Sequence, residues 1–209
     1  MSSWQFDSSV AKNFTEHARS HIPNYDAVIG KCIEACNQYL NKNSSIIDVG
    51  CATGETLQQL HHAGYRNLTG VESSQHMIEY CDPSMARLIH SDTFPQDRFD
   101  AILCNWTLHF VKNKIEYLTN MYQGLNSNSF LILSEKTSLD PEQIQLYHNW
   151  KHKQGVSWDD IRHKEAAVKD IMYIDQPDWY SNTLINLGFK NVQVIDASWC
   201  FTTWIAFKK

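Results

Sequence analysis

The sequence holds 209 residues, 43% hydrophobic and 20% charged, enough for one globular domain with a filled core and too short for two independent ones. Eighteen Lys and Arg against 23 Asp and Glu leave a net charge of −5, so no global basic field gathers nucleic acid, and DNA or RNA is not expected as direct substrate. No apolar run approaches the roughly 20 residues that cross a bilayer, and Met1 to Asp7 lack the layout of a secretory signal, so a cytoplasmic protein with no membrane attachment is expected.

In chain order, the first 43 residues carry Phe14, Ile22, Tyr25, Val28, Ile29, Ile33 and Leu40 at spacings that predict a helical cap. Five strands follow at intervals of about one βα unit: Ser45 to Val49, Asn67 to Glu72, Ala86 to His90, Phe99 to Asn105 and Ser129 to Ser134. Leu57 and Leu60 before Gly64 mark one intervening helix, and Ile115, Leu118, Tyr122 and Leu125 mark another. This alternation predicts a mainly parallel sheet with helices on both faces.

From residue 141 to 188 the pattern turns helical without strands. Asp140 and Pro141 read as N-cap and first helical residue, Trp158 to Met172 as a middle helix, and Pro177 opens a third that Gly188 ends. Asn191 to Ala197 and Trp199 to Phe207 lie too close for a crossover and must pair antiparallel. The expected architecture is α/β, Rossmann-like, with seven strands, the last antiparallel. Residues 1–209 form a single domain bearing a helical cap (1–43) and a helical insert (141–188).

The sharpest local signal is Asp48-Val49-Gly50-Cys51-Ala52-Thr53-Gly54, where a strand runs through a two-glycine turn into a helix and lets the backbone approach a ligand. Twenty-two residues after Gly50, the second strand ends in Glu72, whose carboxylate can accept from both hydroxyls of a ribose. The third ends at Asp92, able to accept from an adenine amino group. Each acid alone is ordinarily a solvated loop residue or a helix cap; glycines, then Glu72, then Asp92 at successive strand ends point together to a nucleotide-like ligand. A dinucleotide enzyme needs Gly-x-Gly-x-x-Gly and a second nucleotide-binding half, and the chain offers neither.

Asp48 to Gly54, Glu72, Asp92 and the fourth-strand exit Asn105-Trp106-Thr107-Leu108-His109-Phe110 resemble the class I S-adenosyl-L-methionine-dependent methyltransferases. Within that class the chain is similar, nearly end to end, to the carboxy-S-adenosylmethionine synthases of transfer-RNA wobble-uridine modification. The similarity runs through Trp4-Gln5-Phe6-Asp7, Ile22-Pro23-Asn24-Tyr25, Tyr122 to Asn126, Leu133 to Lys136 and Leu187-Gly188-Phe189. The resemblance implies S-adenosyl-L-methionine as cofactor, S-adenosyl-L-homocysteine as its product, and a homodimer. It puts Tyr25, Gly50, Cys51, Ala52, Glu72, Ser73, Asp92, Thr93 and Asn105 on cofactor-contacting positions; Asp48, Gly54, Met77 and Trp106 complete the candidate set. One departure stands out: where the synthases carry an arginine for the extra carboxylate of their product, this chain has Glu165, and like charges repel. Arg162, one turn earlier, is the candidate to replace it.

Methyl transfer to a proton-bearing acceptor calls for a base near the methyl group. His109, just beyond the fourth strand, is the catalytic candidate, against a plain lid or helix-start role. Tyr147, His148, Trp150 and His152 could line an acceptor pocket or simply pack the insert onto the cap. Lys151 to Lys153, with Arg162, Lys164 and Lys169, reads as a solvated basic face. The six cysteines, Cys32, Cys36, Cys51, Cys81, Cys104 and Cys200, read as reduced thiols, and no metal site is expected. The function expected first is methyl transfer to a small-molecule acceptor. Carboxy-S-adenosylmethionine synthesis from prephenate is the alternative, and a non-catalytic cofactor-binding subunit the third reading.

Overall fold

The computed structural model describes residues 8–209; the Trp4 to Asp7 part of the family resemblance lies outside them. Seven strands form one sheet in the order β3-β2-β1-β4-β5-β7-β6. They are β1 (Ile46–Val49), β2 (Leu68–Glu72), β3 (Arg87–His90), β4 (Phe99–Asn105), β5 (Leu125–Lys136), β6 (Lys190–Ser198) and β7 (Phe201–Lys208). β1 to β5 pair in parallel, while β7 runs antiparallel to both β5 and β6. The predicted class and strand count are borne out. The chain builds outward from β1 through β2 to β3, then returns to lay β4 on β1's other side. Such a reversal opens a crevice beyond the carboxyl ends of β1 and β4.

Alternation along each strand divides the core between the two faces of the sheet. Ile47, Val49, Ile102, Cys104, Leu131 and Leu133 join Leu118, Met121, Tyr180 and Leu184 on one face. Ile46, Ala101, Leu103, Phe130 and Ile132 meet Cys32, Cys36, Leu57 and Leu60 on the other. The helices supplying those partners are α3 (Tyr25–Tyr39) and α4 (Glu55–His62) on the second face, with α6 (Lys114–Gly124) and α9 (Pro177–Leu187) on the first. Ile115 points away from the core at 57% exposure, and Leu125 opens β5 rather than ending the helix. The stripe that buries α6 is Leu118 and Met121.

Before α3 come α1 (Ser8–Lys12) and α2 (Phe14–His21); α5 (Gln75–Ile78) is a single turn after β2. The insert holds α7 (Pro141–Lys153), α8 (Trp158–Val168) and α9. α9 ends where Gly188 turns left-handed at φ +108°, the conformation its sequence position predicted. Cap and insert meet over the crevice: the Tyr147 hydroxyl of α7 donates to the His21 carbonyl at 2.6 Å. Among the described residues no helix is long and apolar enough to cross a membrane.

Candidate functional site

The crevice is a cavity of about 430 Å³, bounded by the cap, the carboxyl edge of the sheet and the insert. Of the residues singled out from sequence, Tyr25, Asp48, Gly50, Cys51, Ala52, Glu72, Ser73, Met77, Asp92, Asn105, Trp106 and His109 line it. Gly54 and Thr93 do not. Gly54 is the left-handed residue (φ +87°) preceding α4 and packs on Cys81, so it shapes the turn from behind. Thr93 lies exposed, its hydroxyl and N–H turned to Ser91 Oγ at 3.0 and 3.1 Å.

Gly50 is required by two independent facts. Its φ of +69° is a conformation L side chains rarely adopt, and a Cβ there would stand 2.0 Å from Thr107 Oγ1. The loop after β1 and the exit of β4 therefore touch with no room between them. The loop is clipped to β2 as well. Glu72, 8% exposed, accepts the Ala52 N–H at 3.0 Å on one oxygen and the Ser74 N–H at 2.8 Å on the other. A carboxylate so held keeps unused lone pairs facing the cavity. Asp48 is buried beside it, and burial, with the Glu72 charge second, pushes its carboxyl up to about 7. Asp92 is exposed at the mouth.

At the β4 exit Trp106 is also left-handed, at φ +56°, and its ring stacks on Tyr25 with centroids 4.8 Å apart. This pair joins the cap to the sheet edge over the cavity. Asn105 is held from behind, its Oδ1 accepting from Ser134 Oγ at 2.8 Å.

His109 is 3% exposed and fixed by Glu135, a fully buried carboxylate of β5 that sequence reasoning passed over. One Glu135 oxygen accepts the Leu108 N–H at 2.7 Å; the other accepts the His109 N–H at 2.7 Å and lies 2.6 Å from His109 Nδ1. A carboxylate only accepts, so Nδ1 is assigned as the protonated nitrogen and Nε2 as the one with a lone pair.

The solvated-face reading of the basic stretch holds for Lys153 and Lys169 but fails for Lys151 and Lys164. Lys151 is 2% exposed, Lys164 is half-buried, and with Lys136 both line the cavity. Burial first, then mutual repulsion, lowers Lys164 to about 7. Burial lowers Lys151 to about 8, with Lys136 adding to the effect and Glu165 opposing it. From the cap, His17 and His21 stack at 4.0 Å and line the same space; burial lowers them to about 3 and about 4. The helical phase of α7 and α8 decides which of these cations turn inward, and no signal in the sequence fixes it.

Arg162 does not take the place of the missing arginine: it is exposed, bonds Asp159 and stays off the cavity wall. Glu165 does line the cavity, its carboxylate bonded to His148. Among the described residues no group of three or more His, Cys, Asp or Glu is arranged to hold a metal ion.

A family model described as a methyltransferase domain matches residues 19–194. Carboxy-S-adenosyl-L-methionine synthase of Campylobacter fetus is 30% identical over 98% of this chain and 94% of its own length. The enzyme of that name from Shewanella sediminis is 29% identical over 100% and 94%. Among solved structures, an S-adenosyl-L-methionine-dependent methyltransferase of Methanococcus maripaludis superposes with a TM-score of 0.68 at 16% identity, covering 100% of this chain and 96% of that one. The magnesium protoporphyrin IX methyltransferase of Synechocystis, solved with bound S-adenosylhomocysteine, gives 0.62 at 13% identity over 100% and 90%. The resemblance read from the motifs at the strand exits is thereby borne out, and the chain belongs to the methyltransferase family.

Proposed function

We propose that the protein transfers a methyl group from S-adenosyl-L-methionine to a small-molecule acceptor held in this cavity. The observation that carries the reading is the convergence of Gly50, Glu72 and Asp92, from three successive strand exits, on the space that His109 also faces. The donor set suits the cofactor. Glu72, pre-oriented by two backbone amides, is placed to accept ribose hydroxyls, and Asp92 at the mouth an adenine amino group. The bare Cα of Gly50 leaves room for the methionine portion. A cationic ligand beside Asp48 would restore its charge.

When bound, the cofactor supplies a methyl carbon made electrophilic by its sulfonium, leaving S-adenosyl-L-homocysteine as product. The chain's own work is positioning and proton removal. Tyr25 and Trp106 cover the reacting region and keep water out, while His109, oriented by Glu135, takes the acceptor's proton at Nε2. Calorimetric titration with S-adenosyl-L-homocysteine tests the reading. Saturable one-to-one binding is expected, and no binding overturns it.

A second reading, synthesis of carboxy-S-adenosyl-L-methionine, with prephenate as the resemblance implies, is favoured by the similarity over nearly the whole chain to the synthases of Campylobacter fetus and Shewanella sediminis. Glu165 weighs against it less than its charge suggests, because His148 bonds it and three lysines line the cavity with it. Prephenate-dependent formation of a product heavier by one carboxyl unit would put this reading first.

A further inference from the structure

Within the turn from Gly50 to Gly54, Ala52 is the residue that adopts a left-handed backbone without being a glycine, at φ +48°. An L side chain stays in that region only where its surroundings hold it there. Two bonds do so. The Ala52 N–H donates to Glu72 at 3.0 Å, and its carbonyl accepts from the Cys81 thiol at 3.2 Å. Cys81 follows α5 and fills the hollow behind the turn. The turn closes where the Gly54 N–H donates to the Cys51 carbonyl at 2.8 Å, and a Cβ on Gly54 would stand 3.1 Å from Cys81 Sγ.

The Cys51 thiol shares that hollow. It rests on Gly70 of β2, where a Cβ would come within 2.8 Å of the sulfur, and it is hydrogen-bonded to Cys81. Because Cys81 gives its proton to Ala52, Cys51 is the donor between the two sulfurs. That bond first, and burial second, raise the Cys51 thiol above its ordinary range and keep the resting pair protonated. Of the six free cysteines, Cys51 is the one that lines the cavity. A cofactor seated on the turn would cover it, whereas an open cavity admits a small oxidant.

We propose that Cys51 and Cys81 form an oxidative modification site that opposes cofactor binding: a hydroperoxide entering the open cavity links them as a disulfide, and the bound cofactor bars its way. The proposal rests on the reading of this turn as the cofactor site. Cys51 Sγ takes one peroxide oxygen to become a sulfenic acid, and the other oxygen leaves as water or an alcohol. Cys81 Sγ then attacks Cys51 Sγ, and the sulfenic hydroxyl departs with the Cys81 proton as water. The two electrons that the sulfurs lose reduce the O–O bond. The consequence falls on Ala52. A disulfide sulfur has no proton to give, so the Ala52 carbonyl loses its donor and the left-handed backbone loses one of its two holds.

The test incubates reduced protein with hydrogen peroxide, with and without saturating S-adenosyl-L-homocysteine, then blocks free thiols and digests with trypsin without reduction. Cys51 and Cys81 fall on separate tryptic peptides, 43–66 and 67–87, each with a single cysteine. The expected product is these two peptides joined, lighter by two hydrogens than their sum, abundant in the ligand-free protein and suppressed by the ligand. Calorimetry of the oxidised protein should show affinity for S-adenosyl-L-homocysteine at least about fivefold lower, restored by dithiothreitol. Cys81→Ser keeps a donor for Ala52 and removes the second sulfur, so peroxide should leave its affinity where it stood before treatment. Absence of the joined peptides overturns the proposal. So do joined peptides formed equally with and without ligand, unchanged affinity after they form, or an equal fall in Cys81→Ser, which would place the damage elsewhere. The peptide masses of the unaltered protein judge the bond without any variant. They also do so if the protein fails to bind S-adenosyl-L-homocysteine: joined peptides would then leave the oxidation site standing while the methyl-transfer reading and the coupling to it fall.

Discussion

His109 Nδ1 lies 2.6 Å from Glu135 Oε2, and the same carboxylate also receives the backbone N–H groups of Leu108 and His109. One buried acid thus fixes the imidazole's backbone, its ring orientation and its tautomer. If His109 is the base, His109→Ala should lower kcat by about 10²- to 10⁴-fold while S-adenosyl-L-homocysteine affinity changes far less. An unaffected rate would retire the catalytic role. Glu135→Gln should be worse than it looks on paper. An amide turned toward N–H donors loses acceptors, leaving a buried donor unsatisfied at about 1–3 kcal/mol, which thermal denaturation would register.

Gly50→Ala should abolish cofactor binding and destabilise the fold. The new methyl meets Thr107 Oγ1 at 2.0 Å and Cβ at 2.8 Å, in a backbone conformation that disfavours any side chain. Adding Thr107→Ala removes the nearer contact and leaves the farther, so the double variant should recover only part of the loss. Full recovery in a calorimetric titration would show that the left-handed backbone carries no penalty.

Glu72→Ala removes a carboxylate that organises two loops as well as facing the cavity. Hydrogen bonds to charged groups contribute about 1.5–3 kcal/mol, so the dissociation constant for S-adenosyl-L-homocysteine should rise about 10- to 100-fold. Asp92→Ala, at the exposed mouth, should have a smaller effect in the same direction. Unchanged affinity in both variants would remove the nucleotide-site assignment.

Between neutral pH and about pH 8, the melting temperature of the ligand-free protein should rise. Lys164 and Lys151 titrate near 7 and 8 when folded and at the ordinary lysine value when unfolded. In that window the unfolded chain binds more protons, so stability increases with pH. The penalty is fully present below about 7 and is relieved as pH climbs through the folded values. His17 and His21, lowered to about 3 and 4, act in the acid range, where stability is lost as pH falls from the ordinary histidine value toward 4. Differential scanning fluorimetry across the neutral to mildly alkaline range checks the first sign. A falling midpoint there would contradict the burial of these lysines.

What was readable in the sequence was what local chemistry determines. Short β-branched runs such as Ile46–Val49, glycines needed at a turn, and acids at strand exits carry their signals within a few residues. Glu135 went unseen because, within Leu133 to Lys136, nothing local tells a buried carboxylate from the end of a strand; its meaning comes from Leu108 and His109, 26 or 27 positions away. The same holds for Lys151 and Lys164. Neighbours such as Lys153 and Arg162 have the same chemistry and face water, and only the docking of α7 and α8 over the sheet edge separates them. Thr93 and Gly54 show the converse. Their positions suggested contact with a ligand, and local turn geometry uses them instead.

The strand order carries a consequence for how the chain acquires its fold. β7 follows the other six strands in chain order, yet it lies between β5 and β6 and buries Trp204 against Tyr180. Its partners on β5 were synthesised some 70 residues earlier, as the pairing of Ser134 with Thr203 illustrates. A nascent chain on the ribosome therefore exposes the edge of β5 until β7 emerges, and such late, long-range closure slows folding and invites association in the interval.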